Sequence, residues 1–159
     1  MSTTINVNLA CIENIDITPA RLILDKLLAE SPHDLTGFDP QIQFEILFPR
    51  EQGDPRELSE IPEVRLWFIR LDATYPWLPY LLNWRAGELT RYTAMLVPHQ
   101  FSRTEGIEFN AEALQIFVMH KVFMISQWLK QRGINSNEKL QHMAQSLGYE
   151  IDSEFFTLL

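Results

Sequence analysis

The chain has 159 residues, of which 46 % are hydrophobic and 11 % aromatic. This composition is sufficient for one folded domain spanning residues 1–159 and excludes a disordered chain. The net charge is −8, and residues 1–61 carry 11 acidic against 4 basic side chains. Because the positive charges are scattered, the chain lacks the basic patch that phosphate backbones require, and we expect no nucleic-acid partner. The acidic N-terminal third could attract a basic protein surface, or it could simply favour solubility.

Residues 1–49 carry the patterns of a strand, a helix and a second strand. Apolar and polar side chains alternate over residues 5–9, which predicts a half-buried strand ending at Leu9. A Thr-Pro pair predicts a helix over residues 18–30. The apolar face of this helix is predicted to contain Leu22, Leu24, Leu27 and Leu28. The turn formers of SPHDLTGFDP predict a loop, and a second alternation predicts a strand over residues 41–49.

The middle of the chain is less regular. Val64, Trp67, Phe68 and Leu71 have the spacing of one helix face, although residues 64–71 could also form a buried strand. The prolines of TYPWLP must end this element, and a short helix is expected over residues 85–96. The sequence PHQF that follows predicts a turn with a polar tip on an apolar base.

The clearest element is a long amphipathic helix from Asn110 to about Arg132. Asn110 is a good N-cap, and Gly133 is placed for a C-cap. The apolar stripe between them consists of Leu114, Phe117, Val118, Val122, Ile125, Trp128 and Leu129. A short helix is expected from Ser136 to Gly148. The predicted fold class is α+β: one small β-sheet packed against several helices, including the long helix near residues 110–132.

Motifs for catalysis are absent from the sequence. There is no GxSxG, HExxH or GxGxxG, and the single Cys11 excludes a disulfide within the chain. The histidines His33, His99, His120 and His142 are widely spaced, and His120 is predicted to lie beside Lys121 near the polar edge of the long helix. We therefore expect no enzymatic activity and no cofactor or metal. The alternative is a small metal-dependent enzyme in which His99 and His120 converge with carboxylates in space.

The aromatic and arginine side chains concentrate in residues 61–102. This stretch holds three of the four tryptophans and three of the four tyrosines. Trp, Tyr and Arg are over-represented among binding hot spots. For TYPWLPYLLNW, partner contact and internal packing are equally open, and Arg85 and Arg91 could either reach a partner or pair with Asp72 and Glu88. The candidate partner-binding residues are Tyr75, Trp77, Tyr80, Trp84, Arg85, His99 and Gln100.

Three long runs, DPRELSEIPEVRLWFIRLDATYPWLPYLLNW, RAGELTRYTAMLVPHQFS and EALQIFVMHKVFMISQWLKQRG, resemble the chlororespiratory reduction 6 family of cyanobacteria and plant chloroplasts. The likeness covers about residues 43–133. It implies an assembly factor for the photosynthetic NAD(P)H dehydrogenase-like complex. In this role the factor helps the iron–sulfur I subunit to mature or to join the hydrophilic arm. The resemblance implies no catalytic residues, and a plain structural subunit is the remaining alternative.

The expected location follows from what the sequence lacks. The N-terminus MSTTINVNLA has no basic start followed by an apolar run and no Arg/Ser-rich transit character. The most apolar window, residues 116–125, is too short to cross a bilayer. We therefore expect a cytoplasmic protein of the cyanobacterial form, with the chloroplast stroma as the compartment of plant relatives.

Overall fold

The structure is a computed structural model that describes residues 2–30, 41–135 and 137–159. The strands are β1 (Ser2–Val7), β2 (Gln41–Ile46), β3 (His99–Ser102) and β4 (Gly106–Phe109). The helices are α1 (Leu9–Glu13), α2 (Thr18–Glu30), α3 (Pro62–Thr74), α4 (Glu88–Leu96), α5 (Ala111–Gln131) and α6 (Asn137–Ser146). Short 3-10 helices occupy Leu58–Glu60, Leu78–Leu81 and Ser153–Leu158. The predicted α+β class is confirmed.

The first two strands form a parallel pair. Their register runs from Ser2 opposite Gln41 to Val7 opposite Ile46, and α2 lies between them in sequence. The predicted end of the first strand is wrong, because Leu9 begins α1. The cause is the side chain of Asn8, which accepts a hydrogen bond from the Cys11 amide and caps the helix. The predicted loop over residues 31–40, with His33, lies outside the described residues.

The PHQF sequence does not form the predicted turn. His99 and Gln100 begin β3, which pairs with β4 in antiparallel register from His99 opposite Phe109 to Ser102 opposite Gly106. The turn lies further along, at residues 103–105, and Gly106 supplies the positive φ of 73° that follows it. The described residues therefore contain two small sheets instead of the one that was predicted.

The helices follow the predicted patterns with two corrections. Residues 62–74 are helical, so the strand alternative for this segment is wrong, and Val64, Trp67, Phe68 and Leu71 are buried as the helical spacing requires. In α2, Leu24 faces the core as predicted, but Leu22 is 67 % exposed, and Ala20 is buried in its place. The helix predicted from residue 85 begins at Glu88, because Gly87 adopts a left-handed conformation before it.

The long helix is confirmed from cap to cap. The side chain of Asn110 accepts a hydrogen bond from the Ala113 amide at 2.9 Å, and Gly133 has a positive φ of 70°. One hydrophobic cluster joins α5 to β1, β2, α3, α4 and α6. Helix α6 was predicted from Ser136, which lies outside the described residues, and the helix is observed over Asn137–Ser146.

Candidate protein-binding surfaces

The first part of the predicted contact segment lies in the core. Tyr75, Trp77 and Tyr80 are buried, with Tyr80 fully inaccessible. The Trp77 ring stacks on Trp128 of α5 at 4.6 Å between centroids with an interplanar angle of 11°. Tyr75 packs edge-on against Trp77 at 5.6 Å, and Tyr80 packs against Trp128 at 6.1 Å. Of the two readings that the sequence left open, internal packing describes these three side chains.

Two cations extend this aromatic cluster towards the surface. The Arg132 guanidinium lies 4.9 Å from the centroid of the Trp128 ring, and Lys139 Nζ lies 4.0 Å from Tyr80 and 5.4 Å from Trp84. Burial lowers the pKa of Lys139 to about 8. The attraction of the two rings for a cation favours the charged form of Lys139 and therefore acts to raise its pKa. Sequence reasoning missed both cations, because they come from the C-terminal third and meet the rings only in the fold.

Trp84 and Arg85 form the exposed end of the segment. The Trp84 ring is half-buried, and its indole N–H donates to the Pro79 carbonyl at 2.9 Å. Arg85 is exposed on a turn that is fixed by Asn83, whose side chain accepts from the Ala86 amide at 3.1 Å. This turn therefore presents one aromatic ring and one guanidinium on a fixed backbone.

His99 is anchored at the base of the β3–β4 hairpin. Its Nδ1 lies 2.9 Å from the Val97 carbonyl oxygen, and its Nε2 lies 3.0 Å from Ser59 Oγ. Because a carbonyl only accepts, Nδ1 carries the proton, and Nε2 is placed to form a hydrogen bond with the Ser59 hydroxyl. Gln100 and Phe101 are exposed beside it.

The candidate residues thus occupy two places instead of one. Trp84 and Arg85 precede α4, and His99 and Gln100 follow it. A helix of this length spans about 14 Å, and the two pairs lie at its opposite ends. We call Trp84 with Arg85 the Trp84 patch, and we call His99 with Gln100 and the adjacent Phe101 the His99 patch.

In the described part of the chain, neither His99 nor His120 belongs to a group of side chains that could hold a metal ion. Both ring nitrogens of His99 make hydrogen bonds, and His120 is exposed on α5. Over residues 2–30, 41–135 and 137–159, no group of three His, Cys, Asp or Glu side chains is close enough to hold a metal ion.

Lys121 lies in the core, not at the polar edge of its helix. It is 1 % exposed, and its Nζ donates to both carboxylate oxygens of Asp72 at 2.6 Å and to the Pro76 carbonyl at 3.2 Å. Tyr92 donates to the same carboxylate at 2.7 Å. Burial lowers the pKa of Lys121, opposed by Asp72, and burial also raises the pKa of Tyr92 well above its usual value. The network fixes α5 against the C-terminal end of α3.

The arginines were predicted to pair with Asp72 and Glu88 if they did not face a partner. Arg91 does pair with Glu88, at 3.2 Å, and also donates to the Phe44 carbonyl. Asp72 is instead occupied by Lys121 and Tyr92, and Arg85 stays exposed. The exposed candidates are therefore Trp84 in part, Arg85, His99 in part and Gln100.

Comparison with known proteins gives one clear result. The family model described as "Crr6: Chlororespiratory reduction 6" matches residues 7–158, which is nearly the whole chain. No solved structure matches the chain. In the described part of the chain, no helix has the length and apolar character needed to cross a membrane.

Proposed function

The chain belongs to the chlororespiratory reduction 6 family, and we propose that it is a non-catalytic assembly factor for the photosynthetic NAD(P)H dehydrogenase-like complex. It binds the iron–sulfur I subunit and helps this subunit to mature or to enter the hydrophilic arm. It does so in the cytosol. The observation that carries the proposal is the family match over residues 7–158.

The arrangement of the side chains supports a binding role. An assembly factor needs a fixed surface with groups that can contact a protein and release it later. The stacked Trp77 and Trp128 rings and the Asp72–Lys121 pair give the chain a rigid centre. Each of the two patches presents an aromatic ring beside a polar group. In the Trp84 patch these are Trp84 and Arg85, and in the His99 patch they are Phe101 and His99. Such pairs are typical of binding hot spots.

A binding measurement with purified proteins tests the partner. The chain is titrated with purified iron–sulfur I subunit, first as wild type and then with Trp84→Ala and Arg85→Ala together. We expect saturable binding that the double substitution weakens about tenfold, the usual effect of removing a hot spot. A second double variant, Gln100→Ala with Phe101→Ala, examines the His99 patch separately.

The matched control removes one apolar and one cationic side chain elsewhere. Leu22→Ala with Lys26→Ala changes an exposed pair on α2, and its affinity should stay within about twofold of the wild type. If the wild type does not bind the subunit, the proposed partner is wrong. If it binds and neither patch variant weakens it, the partner stands and the two patches are wrong.

A further inference from the structure

The C-terminal segment, residues 149–159, runs along the outer face of α5. The Tyr149 hydroxyl donates to the Ala111 carbonyl at 3.3 Å, in the first turn of the helix. The Phe155 ring packs edge-on against Phe123 at 5.8 Å, and Lys130 Nζ donates to the Leu159 carbonyl in the last turn. Residues 111–130 of an α-helix span about 28 Å. Helix and segment together form a long surface, which we call the α5 groove.

Large apolar side chains of the α5 groove are open to solvent. Ile116 is 64 % exposed, Phe123 42 % and Leu158 83 %. Ile116 and Phe123 are seven residues apart and therefore lie on the same face of α5, two turns from each other. Apolar side chains aligned in this way, in contrast to scattered ones, mark a surface that another molecule covers.

The rim of the α5 groove is acidic. Glu112 lies one turn before Ile116 on the same face, and Glu150, Asp152 and Glu154 lie on the C-terminal segment, all of them exposed. Glu150 and Asp152 also line an adjoining cleft of about 530 Å³ together with polar side chains of α6. Two basic side chains lie on this face of α5 among the described residues: Lys130, which is hydrogen-bonded to the Leu159 carbonyl, and His120, which is exposed one turn after Ile116.

We propose that the α5 groove binds a basic amphipathic helix of a partner protein. Apolar residues at positions i, i+3, i+4 and i+7 of that helix would cover Ile116 and Phe123, and its flanking Lys or Arg side chains would meet the acidic rim. The negative charge of the rim favours a basic partner over two other possible occupants of the groove. A second copy of the chain would bring the same four carboxylates to the interface, and an anionic membrane would be repelled. The inference deepens the proposed function by naming the kind of element that is recognised.

The test uses a labelled 18-residue peptide of leucine and lysine in a helical amphipathic pattern, titrated with the full chain and followed by fluorescence anisotropy. We expect saturable binding that weakens as salt increases. A peptide of identical composition in scrambled order, and one with glutamate in place of lysine, should each bind at least about tenfold more weakly.

Variants locate the binding on the groove. Ile116→Asp and Phe123→Asp should each weaken the peptide about tenfold or more, because each places a charge at the apolar centre. Reversing the rim with Glu150→Lys and Asp152→Lys should remove most of the salt dependence. Leu22→Asp on α2, a residue of similar exposure to Ile116, is the matched control and should leave binding unchanged. Since Ile116 is the more exposed of the two groove positions, it still reports on binding if Phe123→Asp disturbs the fold.

Three results would overturn the inference. The first is equal affinity for the ordered and the scrambled peptide, and the second is an equal loss with Leu22→Asp. The third is a dimer of the wild type in sedimentation that Ile116→Asp converts to a monomer, which would assign the groove to a second copy. Failure of the proposed function has a different signature. In that case the basic peptide binds, but the iron–sulfur I subunit does not.

Discussion

The aromatic cluster around Trp77 and the α5 groove show opposite uses of side-chain chemistry. The cluster consists of the residue types that dominate binding hot spots, yet its rings face one another in the core. The groove presents Ile, Phe and Leu, which are ordinary core residues, to solvent. A residue type therefore indicates how strongly a side chain can bind. Only the fold decides whether its partner is internal or external.

The largest expected effect comes from the buried ion pair beneath the cluster. Lys121→Met removes the ammonium that faces Asp72, and we expect the free energy of unfolding to fall by about 3–5 kcal/mol, the usual cost of breaking a buried pair. Urea denaturation measures this loss. The double variant Lys121→Met with Asp72→Asn keeps an acceptor for Tyr92 without the charge and should recover at least half of it. A loss below about 1 kcal/mol in the single variant would contradict the structural role of the pair.

The second effect separates the buried from the exposed end of the aromatic segment. Trp77→Ala removes the ring that stacks on Trp128 and should cost about 3 kcal/mol of unfolding free energy. Trp84→Ala removes a half-buried ring and should cost less than half as much. Thermal melts of the two variants, followed by circular dichroism, give the comparison. Equal losses would mean that Trp84 is as much part of the core as Trp77.

The third effect depends on pH. Burial lowers the pKa of Lys139 to about 8 from the ordinary value of 10.5, so the folded state releases this proton before the unfolded state does. The penalty of burying the ammonium is fully present below pH 8 and is relieved as the pH rises from 8 to 10.5. The stability of the wild type relative to Lys139→Met should therefore rise by up to about 3 kcal/mol over that window. A flat difference would show that the attraction of the Tyr80 and Trp84 rings offsets the burial.

The smallest effect is expected at the groove. Leu158 is 83 % exposed, so Leu158→Asp should change the free energy of unfolding by less than about 0.5 kcal/mol. The same substitution should weaken the leucine–lysine peptide measurably. A large loss of stability would show that the C-terminal segment holds the fold together and is not only an exposed surface.

Local signals in the sequence predicted much of the fold. Asn110 and Gly133 define the ends of α5, and the spacing from Val64 to Leu71 defines the buried face of α3. What could not be predicted depends on residues far apart in the chain. Lys121 is buried because its ammonium pairs with the carboxylate of Asp72, which lies 49 residues earlier in the chain. The sequence around Lys121 does not indicate this pairing.

The candidate site was less predictable for the same reason. Proline constraints indicated a fixed segment around Trp77 but not the direction of its rings, which is set by Trp128 on another helix. The exposure of Phe123 could not be predicted from the sequence, because apolar side chains occupy more than one face of α5. The β3–β4 hairpin was missed because PHQF carries turn-forming residues, while the turn itself lies beyond Ser102.

The most direct test of the account is affinity purification of the tagged chain from its native cell, with identification of the proteins that co-elute and native gel analysis of the mature complex. We expect the iron–sulfur I subunit to co-elute with the chain, and we expect the mature NAD(P)H dehydrogenase-like complex to contain that subunit but not the chain. Finding the chain in the mature complex at the same amount as the other subunits, or finding no subunit of the hydrophilic arm among its partners, would contradict an assembly role.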